Sequence, residues 1–301
     1  MTNRYGVIDL GTNTFHLLIS EKSAAGNIVE LFRERIFVKL GEDGIETIGD
    51  APFQRALAAI HSLKATLDLY KVNHIKAFGT AALRTASNGN KFIARIKDET
   101  GIQIKLIPGD EEARLIHLGV IQAVRLNNEN GLIMDIGGGS VEFIVANSQG
   151  VIWAQSFPIG VSVLFRKFHK TDPITFEEIE KVEDHLETIL IPLLGILNIH
   201  ETPFLIGASG TFDVLDIILS RQRISSIHSI VEVQDFYPLY QQFLNTTLSE
   251  RLQMEKLPES RAEMIIVAMI LINFILKKAN IKQISISAYA MKEGILSEMI
   301  N

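Results

Sequence analysis

Two short apolar runs, residues 4–11 (RYGVIDLG) and 15–20 (FHLLIS), flank the polar turn Thr12-Asn13-Thr14, and this pattern predicts a β-hairpin. Residues 29–38 read as a third strand running into the turn Gly41-Glu42-Asp43-Gly44. Over residues 52–71 the period changes, and Leu57, Ile60, Leu63, Leu67 and Tyr70 fall on one side of a helix. A strand at 74–78, a helix over about 90–100 and a strand at 102–107 follow. Strands first, then α and β in alternation, suit a mixed sheet covered by helices.

The pattern then repeats. Val7-Ile8-Asp9-Leu10-Gly11-Thr12-Asn13-Thr14-Phe15 recurs as Ile133-Met134-Asp135-Ile136-Gly137-Gly138-Gly139-Ser140-Val141, an offset of 126 residues from Asp9 to Asp135. Ala77-Phe78-Gly79-Thr80 before one helix is echoed at nearly the same offset by Leu205-Ile206-Gly207-Ala208-Ser209-Gly210-Thr211 before another. Two related α/β domains are expected, 1–126 and 127–301, with the boundary at Asn127-Asn128-Glu129-Asn130. The second continues with strands over 132–146 and 151–157, a helix over 175–194, a strand at 203–206, helices over 236–248 and 261–278, and a strand at 284–287. A closing helix over 293–300 is free to pack back on the first domain.

Composition narrows the field. A chain of 301 residues exceeds the size at which single cores stop growing, roughly 250–300 residues, which agrees with two domains. It contains no cysteine, which removes disulfides, thiolate metal sites and a Cys nucleophile. The net charge of −6, without a dense Lys/Arg run, argues against binding a nucleic-acid polymer. Residues 264–276 are the most membrane-like segment, but they are too few for a spanning helix and read as a buried core helix. Asp9 interrupts the apolar stretch near the amino terminus, so no secretory signal is expected and the cytoplasm is the expected address.

In a strand-Asp-x-Gly-turn-strand hairpin, glycine lets a ligand approach the backbone closely and successive N–H groups converge on an anion. Gly11, Thr12, Asn13 and Thr14 in one loop, and Gly137, Gly138, Gly139 and Ser140 in the other, are candidate phosphate donors. Asp9 and Asp135 at the strand ends are candidate ligands for Mg²⁺. Taken singly, each loop is also an ordinary turn; the duplication favours phosphate and metal. Glu142 shares a strand face with Ser140 and is a candidate metal ligand or orienter of water. Asp110, Glu111 and Glu112 sit in a first helical turn, where capping and the macrodipole account for them without a catalytic role. Arg84 suits a phosphate or a surface ion pair equally. Arg33, Arg35 and Lys39 form a basic wall or a solvated edge, and no histidine spacing suits zinc.

The segments IDLGTNTFHLLI, FGTAALRTASN, PGDEEARLIHLGV, MDIGGGSVEFIV and GASGT, in this order, resemble the exopolyphosphatase / guanosine pentaphosphate phosphohydrolase family of the actin, sugar kinase and Hsp70 superfamily. The resemblance implies two actin-like (ribonuclease H-like) α/β domains, each with a mixed sheet, and an active-site cleft between them. It implies Mg²⁺-dependent release of terminal phosphate from inorganic polyphosphate, or from guanosine pentaphosphate. A non-catalytic polyphosphate or nucleotide sensor is the alternative of another class. Carried over residue by residue, Glu112 becomes the base for the attacking water and Glu142 its catalytic partner and a metal ligand with Asp9 and Asp135. Arg84 becomes a phosphate contact. A homodimer is the family-based expectation, with no membrane. Longer members append a helical domain absent from these 301 residues, so short chains are the expected preference. In the segment Ser287-Ala288-Tyr289-Ala290-Met291-Lys292-Glu293-Gly294, Lys292 replaces the family's Arg.

Overall fold

The computed structural model describes residues 3–23, 26–220 and 222–300. They form two compact units, Met1–Gly119 with Met291–Asn301, and Val120–Ala290. Unit 1 begins with β1 (Asn3–Leu10), β2 (Thr14–Lys22), β3 (Ile28–Phe37), α1 (Asp50–Leu69) and β4 (His74–Gly79). It continues through α2 (Ala81–Thr85), α3 (Gly89–Thr100), β5 (Ile104–Leu106) and α4 (Gly109–Ala123). The strand order is β3-β2-β1-β4-β5, with β1 antiparallel to β2 and parallel to β4. Central β1 buries Tyr5, Val7 and Ile8 in one unbroken run, as a strand covered on both faces requires. Edge strand β3 exposes Glu30, Arg33 and Arg35, and those charges blunt an edge that would otherwise template pairing. The apolar side of α1, with Leu57, Ile60, Leu63 and Leu67, joins the core of this unit.

Unit 2 contains β6 (Gly131–Ile136), β7 (Val141–Asn147), β8 (Gly150–Phe157), α5 (Val161–Phe168), α6 (Phe176–Ile189), α7 (Ile191–Ile199) and β9 (Phe204–Ala208). It goes on through α8 (Gly210–Leu219), β10 (Gln222–Ser225), β11 (His228–Glu232), α9 (Val233–Leu244), α10 (Leu248–Leu252), α11 (Glu259–Ala262), α12 (Ile265–Lys278) and β12 (Gln283–Ser287). The strand order is β10-β11-β12-β9-β6-β7-β8. Around β6 the arrangement of unit 1 returns: β6 is antiparallel to β7 and parallel to β9, as β1 is to β2 and β4. Helix α12 is buried at every position from Ile265 to Leu276, the core helix expected there, and no helix among the described residues is long and apolar enough to cross a membrane.

The last helix, α13 (Met291–Ile300), packs on β1 and so belongs to unit 1. The units therefore differ from the expected 1–126 and 127–301. Helix α4 is continuous through residue 119, and Asn127-Asn128-Glu129-Asn130 is a surface turn after it rather than the seam. The single helix expected over 175–194 is two, since Pro192 lacks the N–H to continue α6 and instead occupies the first turn of α7. The helix expected over 236–248 ends at Leu244, and Thr247 begins α10 through a capping box with Glu250.

Candidate active site

The two glycine loops share one construction. Gly11 N–H donates to Thr14 O at 3.1 Å, and Gly137 N–H donates to Ser140 O at 3.0 Å. A Cβ at Gly11 would lie 2.9 Å from Thr14 O, and one at Gly137 would lie 2.9 Å from Ser140 O, so both turns exclude a side chain. In the first loop Thr12 O accepts from Leu40 N–H, and Asn13 O from Val38 and Lys39 N–H; Thr12, Asn13 and Thr14 are all buried.

In the second loop the start of α5 lies against the glycines. Val161 N–H donates to Gly137 O at 3.0 Å, Ser162 N–H to Gly138 O at 2.9 Å and Gly160 N–H to Gly139 O at 3.2 Å. Three loop carbonyls thus satisfy amides at a helix entry that would otherwise lack acceptors. None of the described residues accepts from the N–H of Gly138 or Gly139. The loop is polarised: its carbonyls accept from the start of α5, while the Gly138 and Gly139 amides have no acceptor among the described residues, and successive amides of this kind attract anions.

Asp135 and Glu142 face each other in the β6–β7 register, so their side chains share one face of the sheet. They are 6% and 2% exposed, and Ser156 Oγ donates to Glu142 Oε1 at 2.6 Å. Across the sheet the same row continues through Ala208 to Ser287 and His228. In unit 1 the matching row is Arg35, His16, Asp9 and Phe78. The duplicated hairpins therefore carry an acid pair in unit 2 and an Asp–His pair in unit 1. Among the described residues, no group of three or more His, Cys, Asp or Glu side chains gathers as a metal cluster.

Glu112 and Arg84, which the sequence leaves apart, meet within unit 1. Glu112 lies near the start of α4 with a side chain 10% exposed, and Arg84 Nη1, on α2, donates to Glu112 Oε2 at 3.2 Å and to Ile107 O at 2.6 Å. Its neighbour Glu111 is turned the other way, pairing with Arg114 at 2.7 Å. Farther along α4, burial holds the His117 imidazole below its usual range, so it adds no charge at neutral pH. Of the candidate basic wall, Arg33 is engaged with Glu30 and Glu293, at 2.7 and 2.8 Å.

The turn at Gly207-Ala208-Ser209-Gly210-Thr211 opens α8. A Cβ at Gly207 would overlap the Phe212 ring, which fixes this glycine as a packing requirement. Ser209 is held at φ 69° and ψ −178°, a region that glycine ordinarily occupies. The Arg261 guanidinium packs so closely on Gly210 that a Cβ there would overlap it. Arg261 went unnoticed in the sequence, since nothing local marks a contact between residues so far apart along the chain.

The model of the Ppx/GppA phosphatase family matches residues 18–301. A guanosine-5'-triphosphate,3'-diphosphate pyrophosphatase of Photobacterium profundum is 27% identical over 299 residues, covering 99% of this chain and 59% of that protein. The chain thus spans about three fifths of the length of that curated relative. The crystal structure of an exopolyphosphatase from Cytophaga hutchinsonii ATCC 33406 superposes with a TM-score of 0.94 at 39% identity, covering 99% of this chain and 98% of that one. An Aquifex aeolicus Ppx/GppA family member has the same fold, with a TM-score of 0.80 at 22% identity over 100% of this chain and 98% of that one. Matched by this family model over nearly its whole length, the chain belongs to the Ppx/GppA phosphatase family.

Proposed function

We propose that this chain hydrolyses phosphoanhydride bonds, releasing terminal orthophosphate from inorganic polyphosphate. The observation that carries this reading is the polarised loop at Gly137-Gly138-Gly139-Ser140. Its carbonyls are used by α5, its Gly138 and Gly139 N–H groups have no acceptor among the described residues, and a buried carboxylate pair lies at the strand ends beside it. Donors fixed before the reaction stabilise charge on a phosphoryl group without reorganising, which is most of what phosphoryl transfer needs.

In this reading Glu112 takes the proton of the attacking water. Burial and the Arg84 contact hold its carboxylate in one place, which general-base catalysis requires. Arg84 balances the Glu112 charge and offers a planar donor to phosphate. Gly11, Thr12, Asn13 and Thr14 supply the donors of the first loop, and Ser156 fixes the orientation of Glu142.

Asp135 and Glu142 fit a Mg²⁺ ion. Two carboxylates directly opposite on one sheet face repel, and a divalent cation offsets that cost. Mg²⁺ characteristically keeps water and takes only one or two protein carboxylates, so a cluster of three is not required. When bound it would supply charge neutralisation to phosphate oxygens. Asp9 is the corresponding candidate in unit 1.

The test measures phosphate release from polyphosphates of graded length and from guanosine pentaphosphate, with and without Mg²⁺, for wild type and Glu112→Gln. Loss of a general base should cost roughly 10²–10⁴-fold in turnover. Release unaffected by Glu112→Gln would refute the assignment. Preference for guanosine pentaphosphate would make that nucleotide the substrate, and binding without turnover would make the chain a sensor.

A further inference from the structure

We propose that Gly294 is a positioning residue for Glu112: the backbone of α13 crosses α4 at Gly294 and sets where the carboxylate stands. The proposal rests on reading Glu112 as the base.

A Cβ added at Gly294 would overlap the Leu115 carbonyl oxygen and would lie 2.9 Å from the Leu115 carbonyl carbon and 3.1 Å from Gly119 N. These are main-chain atoms, so no side-chain rotation relieves the contact; one of the two helices has to move. Leu115 follows Glu112 by three residues, one turn farther along α4 and on the same side of it. A shift of the helix at Leu115 therefore carries the Glu112 side chain with it.

Helix α13 is anchored to unit 1 on both sides of the crossing. Glu293, beside the crossing and 3% exposed, accepts from Arg33 Nη1 on β3 at 2.8 Å, and Lys292 Nζ lies 3.4 Å from the same carboxylate oxygen. At the other end Lys22 Nζ, on β2, donates to Ile300 O at 3.0 Å. Both ends of α13 are thus tied to the sheet of unit 1. Helix α4 is joined to it by the backbone crossing and by an exposed pair, Arg114 with Glu298, at 2.7 Å. The Lys292-Glu293-Gly294 segment acquires a role in this way: Glu293 anchors α13, Lys292 supports Glu293, and Gly294 admits α4. Lys in place of Arg at 292 suffices because the support is a single point charge.

The experiment compares wild type, Gly294→Ala, Glu112→Gln and the double variant, all as the full chain with polyphosphate as substrate. Gly195→Ala serves as control, since a Cβ at Gly195 meets nothing within 4 Å. Misplacing a reacting group by about 1 Å costs on the order of 10²-fold. Gly294→Ala is therefore expected to lower kcat roughly 10- to 100-fold with KM within about twofold, and to lower it no further in the Glu112→Gln background. Arg33→Met, which loosens the α13 anchor without adding volume, should give a smaller fall in kcat, again absent in that background; it carries the test if Gly294→Ala does not fold. Unchanged kcat, or equal losses with and without Glu112, would overturn the proposal. Wild-type turnover by Glu112→Gln itself would instead refute the base assignment, a failure visible in that variant alone.

Discussion

Arg84→Met should uncouple two functions that the wild-type guanidinium joins. Its Nη1 donates to Glu112 Oε2 at 3.2 Å and to Ile107 O at 2.6 Å. Unit charges at that separation attract by about 5 kcal/mol at an effective dielectric of ~20, before desolvation is counted. The Arg84 side chain is 30% exposed, so solvent screens part of that attraction. Net values for hydrogen bonds to charged groups run about 1.5–3 kcal/mol, and about 2 kcal/mol is the expected loss of stability. Thermal unfolding should register it as a fall of roughly 3 °C in Tm for a chain of this size. Phosphate release should fall about 10²-fold in kcat/KM, the usual consequence of removing a fixed donor to a phosphoryl group. The decisive measurement is a double-mutant cycle of Arg84→Met and Glu112→Gln followed by urea unfolding. A coupling of about 1–2 kcal/mol is expected. If the two losses add within roughly 0.5 kcal/mol, the pair is not an energetic unit and the reasoning from its geometry is wrong.

Two further outcomes follow from the same structure. Burial pushes the Glu178 carboxyl up, but bonds from the Thr171 hydroxyl and the Thr175, Lys170 and Thr171 amides outweigh it and hold the pKa at about 2. The folded form thus binds the proton less readily than the unfolded form, so Glu178 contributes stability above pH ~4.5 that is lost as pH falls towards 2. That contribution is about 3 kcal/mol; Glu178→Gln should be less stable than wild type by about 2–3 kcal/mol in urea at pH 7, with the difference shrinking below pH 4.5. At the loops, Gly137→Ala or Gly11→Ala places a methyl 2.9 Å from a carbonyl oxygen of the same turn. Each should cost roughly tenfold or more in phosphate release; wild-type turnover by Gly137→Ala would show that the exact shape of that loop does not matter.

How far the fold was readable depends on how local each signal is. The hairpin echo was legible because a strand-Asp-x-Gly-turn-strand unit is defined within nine residues, and both copies close the same Gly N–H to O bond, 3.1 and 3.0 Å. The second echo was legible only in part. Register places Gly79 beside Leu10, Gly207 beside Met134 and Ala208 beside Asp135, so the position level with Gly79 is Ser209, two residues on. The two glycines answer different neighbours: a Cβ at Gly79 would meet Leu83 and Leu106, and one at Gly207 the Phe212 ring. Glycine marks a close approach without saying to what, so identical letters aligned two unrelated packing demands.

Glu112 shows the opposite limit. Its sequence context satisfies a complete local explanation, since acidic residues in a first helical turn are favoured by the macrodipole whether or not they do anything else. What distinguishes Glu112 from Glu111 is direction: one is buried against Arg84, 28 residues earlier, and the other pairs with Arg114, three residues later. The same holds for charge. A net −6 suits a polyanionic substrate poorly if charge is counted over the whole chain, and Arg33, one third of the basic wall the pattern suggested, is engaged by Glu30 and Glu293. On the proposed reading, attraction for phosphate draws, besides Arg84, on groups that carry no formal charge in the sequence, the amides of a loop whose carbonyls are already taken by α5. A charge count cannot see them, because the donor is made by the backbone's conformation and not by the residue type.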